Sequence, residues 1–335
     1  MIIHGDCLDV LAETLPESID LIYADPPYCS GRLWTGVVDG QEVSFSDKWV
    51  WDLHEHEFKV SDLKGLSHIT EPLRRLLGET PLLAYLSFMA NRLYECQFVM
   101  KPNSSIYVHT DWRVSHYLKI VMDGLFGREN FRNDITWVRD GAGRGAKKTS
   151  RQWPREYDSI LFYTQGDEYH FDQQYMELSE KQKGLYRYKD QRGWYKTSDI
   201  GTYAEETLDK LRQQGRIHTS RNGKEYTKYY LDEAQSTVGS VWTDMYGFVI
   251  RTSDKERVGY PTQKPINLLE RIILASSRRG DVVLDPFCGS GTTCVAAEML
   301  GREWRGIDQN KQAVQIAEKR IADVKDASPS LPLQW

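Results

Sequence analysis

The tetrapeptide Asp25-Pro26-Pro27-Tyr28 follows an apolar run, Ile19-Asp20-Leu21-Ile22-Tyr23-Ala24. That run reads as a buried strand, closed by prolines that cannot continue a ladder. A carboxylate, a stiffened carbonyl and a phenol ring at a strand end suit one kind of chemistry. The exocyclic amino nitrogen of a nucleobase is a poor nucleophile, because its lone pair is delocalised into the ring. The Asp25 carboxylate and the Pro26 carbonyl can accept its two protons, draw the nitrogen towards tetrahedral geometry and free the lone pair. Positive charge then develops on nitrogen beside a preorganised carboxylate. Pro26 and Pro27 stiffen the loop. Tyr28 offers a stacking surface, worth about 1–3 kcal/mol in such sites. A base inside a duplex cannot reach such a corner and must be flipped out. Taken alone, the tetrapeptide is almost as readily a plain turn after a strand.

A second constellation lies near the C-terminus. Val282-Val283-Leu284-Asp285-Pro286-Phe287-Cys288-Gly289-Ser290-Gly291-Thr292-Thr293 reads as a strand, a glycine turn and a helix start. Gly289 and Gly291 are expected to let the backbone approach a ligand closely. Asp308 ends the next strand, where an acid in a doubly wound sheet takes ribose hydroxyls. A nicotinamide fingerprint would need a third glycine where Cys294 stands, and no Gly-Lys-Ser/Thr follows to make a phosphate-cradling loop. A ligand with a ribose and no phosphate fits the residues, which points to S-adenosylmethionine. The alternative is a purely structural glycine turn.

The elements that must position these residues show in the periodicity. Helices are expected over residues 82–100, 112–125, 266–277, 292–300 and 311–324. Strands are expected over 105–109, 135–138, 159–163, 282–284 and 304–307. Residues 32–65 are polar and tryptophan-rich, and read as a long functional loop. Residues 165–250 are charged and tyrosine-rich, and read as an insertion with its own surface. Alternating strands and helices argue for a mostly parallel sheet covered on both faces. The chain divides into a catalytic half (1–164), the middle region (165–250), a cofactor half of the same domain (251–325) and a frayed tail (326–335).

The formal charge is −5 over 335 residues. That balance speaks mildly against a nucleic-acid partner, so phosphate contact would have to be local. Arg139, Arg144, Lys147, Lys148, Arg151 and Arg155 form a basic, glycine-interleaved run with one acid, Asp140. It reads as a solvated loop or as a basic arm that meets phosphates. The five cysteines are scattered without a Cys-x-x-Cys pair, so neither a zinc site nor a disulfide framework is expected, and a reducing cytoplasm fits. No apolar run approaches the ~20 residues of a membrane span, and no signal peptide is expected at the N-terminus.

Taken together, these motifs resemble the beta class of DNA amino-methyltransferases, in the order catalytic motif, recognition region, cofactor motif. Ile3-His4-Gly5-Asp6-Cys7-Leu8 is similar to the family segment that reaches the cofactor adenine, with Asp6 and Cys7 nearest. Tyr260-Pro261-Thr262-Gln263-Lys264-Pro265 is similar to the element beside the cofactor's methionine end, which brings in Lys264. The segments 101–109 and 157–163 match remaining core strands. The resemblance implies an α/β, Rossmann-like S-adenosylmethionine-dependent methyltransferase fold. Its sheet would be mostly parallel and seven-stranded, with one antiparallel strand, helices on both faces and an inserted target-recognition region. It implies cofactor contacts from Asp6, Cys7, Asp25, Lys264, Asp285, Phe287, Gly289, Ser290, Gly291, Thr292 and Asp308, and chemistry without metal. Double-stranded DNA is the implied partner. Beyond Arg139 to Arg151, Arg187, Lys189, Arg192 and Lys196 of the middle region are candidate DNA contacts, or a merely solvated basic surface. A solitary methyltransferase and a type II enzyme partnered by a cognate restriction endonuclease are both open, and a homodimer is common in the family. Asp at the first motif position is typical of adenine N6 enzymes, and Ser of cytosine N4 enzymes. Methylation of RNA or of a protein side chain, and a non-catalytic DNA-binding decoy, are the competing readings. Relatives with the former activities more often carry Asn at that position and the reverse motif order.

Overall fold

The computed structural model describes residues 1–51, 66–139, 151–245 and 256–327. They form two compact units. One is Met1–Asp172 with Gly239–Trp335, and the other is Gln173–Val238.

In the first unit the chain runs β1 (Ile2–His4), α1 (Cys7–Ala12), β2 (Ile19–Ala24), β3 (Leu33–Val38), β4 (Gln41–Ser46), α2 (Ser67–Leu77), α3 (Pro81–Val99), β5 (Met100–Thr110), α4 (Ser115–Phe126), β6 (Phe131–Val138) and β7 (Tyr157–Thr164). Local chemistry sets several boundaries. Asp6 caps α1 by accepting from the Leu8 N–H at 2.9 Å. Thr80 caps α3 in the same way, with Pro81 at the first helical position where its missing N–H costs nothing. The stretch read as a loop over 32–65 instead contains a hairpin, β3 with β4. Asp39 and Gly40, both at positive φ, make its two-residue turn. Residues 52–65 of that stretch lie outside the described residues.

The second unit holds β8 (Tyr175–Met176), α5 (Glu180–Lys183), β9 (Tyr188–Lys189), β10 (Trp194–Asp199), α6 (Glu205–Gln213), β11 (Ile217–Thr219), β12 (Glu225–Tyr230) and β13 (Ser236–Thr237). Its four-stranded sheet has the order β11-β12-β10-β9 and is antiparallel throughout. Strands β8 and β13 pair antiparallel where the chain enters and leaves the unit. This unit lies inside the 165–250 segment and is narrower than it.

The first unit resumes with β14 (Val241–Trp242), α7 (Ile266–Ser276), β15 (Val282–Asp285), α8 (Thr292–Met299), β16 (Glu303–Asp308) and α9 (Lys311–Ala327). Its sheet has the order β1-β16-β15-β2-β5-β7-β6-β14. There are eight strands rather than the expected seven, the extra one being two-residue β14 at the edge beside β6. Strand β7 alone runs antiparallel, to both β5 and β6. Both faces are covered, and residues alternate accordingly. Ile106, Val108, Leu161 and Tyr163 join the core shared with α1 to α4. Between them, Tyr107 stacks on Phe162 at 4.3 Å and bonds Ser276 of α7 on the opposite face.

Candidate active site

Parallel strands bring their carboxyl ends to one edge of the sheet, so β1, β2, β15 and β16 deliver Asp6, Asp25, Asp285 and Asp308 to the same side. The chain turns one way after β15, towards β16, and the other way after β2, towards β5. A crevice opens at such a switch point. Here it is a cleft of about 410 Å³, lined by all four acids together with Tyr28, Lys264, Phe287 and Tyr260.

Asp25 is the centre of the cleft's polar network. Lys264 ion-pairs with one carboxylate oxygen, and the Tyr28 hydroxyl donates to the other. Burial pushes the Asp25 carboxyl up, but Lys264, His109 and the two hydrogen bonds outweigh it and hold the group below the usual carboxylate range. Lys264, expected at the cofactor's methionine end, therefore has its charge engaged by Asp25. The loop after Tyr28 is pinned by buried Asp47, which accepts from the Cys29 and Ser30 N–H groups at 2.9 and 2.7 Å. This lets Cys29 hold a positive φ.

Behind Tyr28 lies His109, fully buried and offset-stacked on it with ring centroids 6.0 Å apart. Burial, then the Lys264 charge, lower the His109 pKa, while burial raises that of the Tyr23 phenol. Tyr23 is thus the donor to His109 Nδ1 at 2.8 Å, and the neutral ring directs its Nε2–H towards Asp158.

On the opposite side, Asp308 accepts from the Gly289 and Asn310 N–H groups, each at 2.8 Å. Asp285 accepts from Phe287 N–H at 3.0 Å and from the Thr293 hydroxyl at 2.5 Å. Burial, aided by Asp25 and Asp308, pushes Asp285 up to about 7, and burial also raises Asp308. Ser290 and Thr292 are held by Arg320, which bonds the Ser290 carbonyl at 2.7 Å and the Thr292 hydroxyl at 3.0 Å. Of the two glycines, Gly289 lines the cleft and Gly291 is not among its lining residues. A Cβ on Gly291 would meet the Ala317 Cβ at 2.6 Å, so its smallness serves the packing of α8 on α9. Gly289 faces the Tyr260 ring. Asp6 is ion-paired with buried Arg92 at 2.6 Å, and Cys7 is a buried thiol pushed up to about 12 by desolvation.

The candidate DNA contacts that are described fall in both units. Arg144, Lys147 and Lys148 lie outside the described residues. Arg139 pairs with Asp158 at 3.3 Å beside the cleft, and Arg151 is exposed. In the second unit Arg187 is exposed, Arg192 is engaged by Glu233, and Lys196 lies over the Tyr186 ring at 5.2 Å. Lys189 lies over the Trp194 ring at 5.4 Å.

The family model for DNA methylases of the N6/N4 type matches residues 19–319, spanning both halves of the cleft. The chain belongs to the DNA methylase family. Type II methyltransferase M.EcaI of Enterobacter cloacae is 31% identical over 90% of this chain, which spans 64% of that protein. DNA adenine methyltransferase YhdJ of Escherichia coli is 27% identical over 96% of this chain and 82% of its own length. Among solved structures, TTHA0409 of Thermus thermophilus, complexed with S-adenosyl-L-methionine, covers 98% of this chain and 95% of its own at a TM-score of 0.51 and 17% identity. The cytosine-N4-specific PvuII DNA methyltransferase covers 97% of this chain and 91% of its own at 0.50 and 14%. At such identities the two structures share the fold with this chain, and the fold does not choose the base.

Proposed function

We propose that this chain transfers a methyl group from S-adenosylmethionine to adenine N6 in double-stranded DNA, as the modification enzyme of a type II restriction system in a reducing cytoplasm. The observation that carries the reading is the Asp25 carboxylate, held ionised between Lys264 and Tyr28 at the switch point of the sheet. The cleft suits the donor. Asp285 and Asp308 line it without an ion-pair partner among the described residues. Such an acidic lining disfavours a phosphate and, as it ionises, favours a cation. Asp308 has the position of a ribose acceptor, with Phe287 and Tyr260 as apolar walls. When bound, S-adenosylmethionine supplies an electrophilic methyl on a cationic sulfur.

Asp25 and the Pro26 carbonyl accept the amino protons of the flipped base, and the Tyr28 ring supports its face. Lys264 keeps Asp25 ionised. The depressed pKa makes Asp25 a weak base, so it stabilises the cationic nitrogen electrostatically rather than retaining its proton. The aspartate at the first motif position, and the name of the relative YhdJ, favour adenine over cytosine N4. The test is methyl transfer from labelled S-adenosylmethionine to unmethylated genomic DNA, followed by nucleoside analysis. N6-methyladenine is expected. N4-methylcytosine overturns the base assignment, and no label in DNA overturns the activity.

A further inference from the structure

The order of strands along the sheet maps the cleft. Asp6, Asp285 and Asp308 follow β1, β15 and β16, on one side of Asp25. On the other side, at the ends of β5, β6 and β7, the cleft is lined by Asp111, Trp112, Arg113, Arg139 and Arg155. This lip is assigned no role by the methyl-transfer chemistry above. Its sign is opposite to that of the cofactor side.

Two of its three arginines are neutralised. Arg113 ion-pairs with Asp111, and Arg139 with Asp158. Arg155 has no carboxylate partner among the described residues. Its guanidinium carbon lies over the Trp112 ring, 3.4 Å from the centroid, with one N–H on the Gln152 side-chain oxygen at 3.0 Å. Arg113 approaches the same ring at 5.0 Å. Trp112 is 38% exposed, and its ring is flanked by the two guanidiniums. The backbone that carries Arg155 is tied down as well. Arg139 donates from its side chain to the Arg155 carbonyl at 3.1 Å and from its backbone to Glu156 at 2.7 Å. A cation–π stack of this kind holds the planar fork in place and leaves its edge donors free. A fixed, uncompensated guanidinium suits an anion with several acceptor oxygens.

We propose that Arg155, stacked on Trp112, binds a backbone phosphate of the DNA strand next to the extruded nucleotide. The inference rests on the proposed function, since it takes DNA as the substrate. Each phosphate neutralised by a protein cation contributes about 0.9 to the slope of log affinity against log salt on duplex DNA. That slope is the signature a stacking or purely structural role does not move.

The experiment uses the full chain with unmethylated genomic DNA as the probe, measuring KM for DNA and kcat over a series of KCl concentrations. Arg155→Gln is expected to raise KM for DNA about tenfold. Its log–log salt slope should be shallower than wild type by about 0.9. KM for S-adenosylmethionine should be unchanged. Arg155→Lys keeps the charge and is expected to keep the slope. An Arg155→Gln enzyme with wild-type KM and slope overturns the inference, and so does a raised KM with the wild-type slope. A wild-type chain that methylates no DNA overturns the proposed function and this inference together. The two variant outcomes, with an active wild type, overturn only the latter.

Discussion

Asp25 and Asp285 are two carboxylates in one cleft whose surroundings drive them in opposite directions. Asp25 has a lysine and a phenol and stays ionised, whereas Asp285 has a hydroxyl, a backbone N–H and two neighbouring acids. Replacing Asp25 by Asn keeps the shape but removes the charge that faces the developing cation. Single-turnover methyl transfer by Asp25→Asn should fall by about 10²–10³-fold. Calorimetric affinity for S-adenosylmethionine should fall far less, and unchanged turnover would remove the mechanism. Asp285 contributes a pH dependence of its own. Its carboxyl titrates at 3.8 when unfolded and at about 7 when folded. Below pH 3.8 both states are protonated; above it the unfolded chain ionises first, so stability is lost progressively as pH rises to about 7. A cation in the cleft favours the ionised form. The ratio of affinities for cationic S-adenosylmethionine over neutral S-adenosylhomocysteine should therefore rise between about pH 6 and pH 8, bracketing the Asp285 pKa of about 7. A flat ratio across that range would show that Asp285 does not titrate against the donor's charge.

At the scale of elements, the glycine turn between β15 and α8 is as much a packing device as a binding one. Gly291 combines a φ of 77° with a Cβ position already taken by Ala317, whereas Gly40 has a φ of 79° and open space around it. Gly40→Ala should cost only the left-handed strain, about 1–2 kcal/mol. Gly291→Ala should add about 1–3 kcal/mol of overpacking, and it should displace the turn that sets Ser290 and Thr292. Denaturant unfolding of the two variants, with S-adenosylmethionine affinity measured on each, checks the difference. Equal costs would mean that α9 gives way freely. The same region shows why sequence reached some of the site and not the rest. Strands β2, β15 and β16 were legible because short apolar runs end at acids. Helices α3 and α7 to α9 were legible because their apolar spacing is helical over several turns. The hairpin β3–β4 carried its signal in Asp39-Gly40, which was overridden by the polar composition around it. Strand β14 has no signal of its own, since two residues become a strand only by pairing with β6. Arg92, His109, Asp47 and Arg320 were missed for a different reason. Each serves the cleft through a partner distant in sequence, as Arg92 does for Asp6 and Arg320 for Ser290, and no local spacing encodes that.

Over the whole molecule, every described residue that lines the cleft belongs to the first unit, in Met1–Asp172 or in the segment after Gly239. The second unit is an insertion whose two ends already lie side by side. Strand β8 pairs with β13, and the Val238 N–H donates to the Gln174 carbonyl at 2.9 Å. Its four-stranded sheet carries its own stacked ring pair, Tyr188 on Tyr195 at 5.6 Å, and its own buried Tyr230. Chain ends that meet can be rejoined by a short flexible linker with little entropic cost. Replacing residues 173–238 by a few glycines and serines should thus leave a first unit that still unfolds cooperatively and still binds S-adenosylmethionine within a few-fold of the full chain. Methylation of DNA is the property expected to change. If the second unit supplies sequence recognition, the shortened chain loses site-specific N6-methyladenine in duplex DNA, even at protein concentrations where the full chain saturates its sites. Retention of the same methylated sites by the shortened chain would move recognition into the first unit and its basic lip. Loss of cofactor binding would mean instead that the two units do not fold independently.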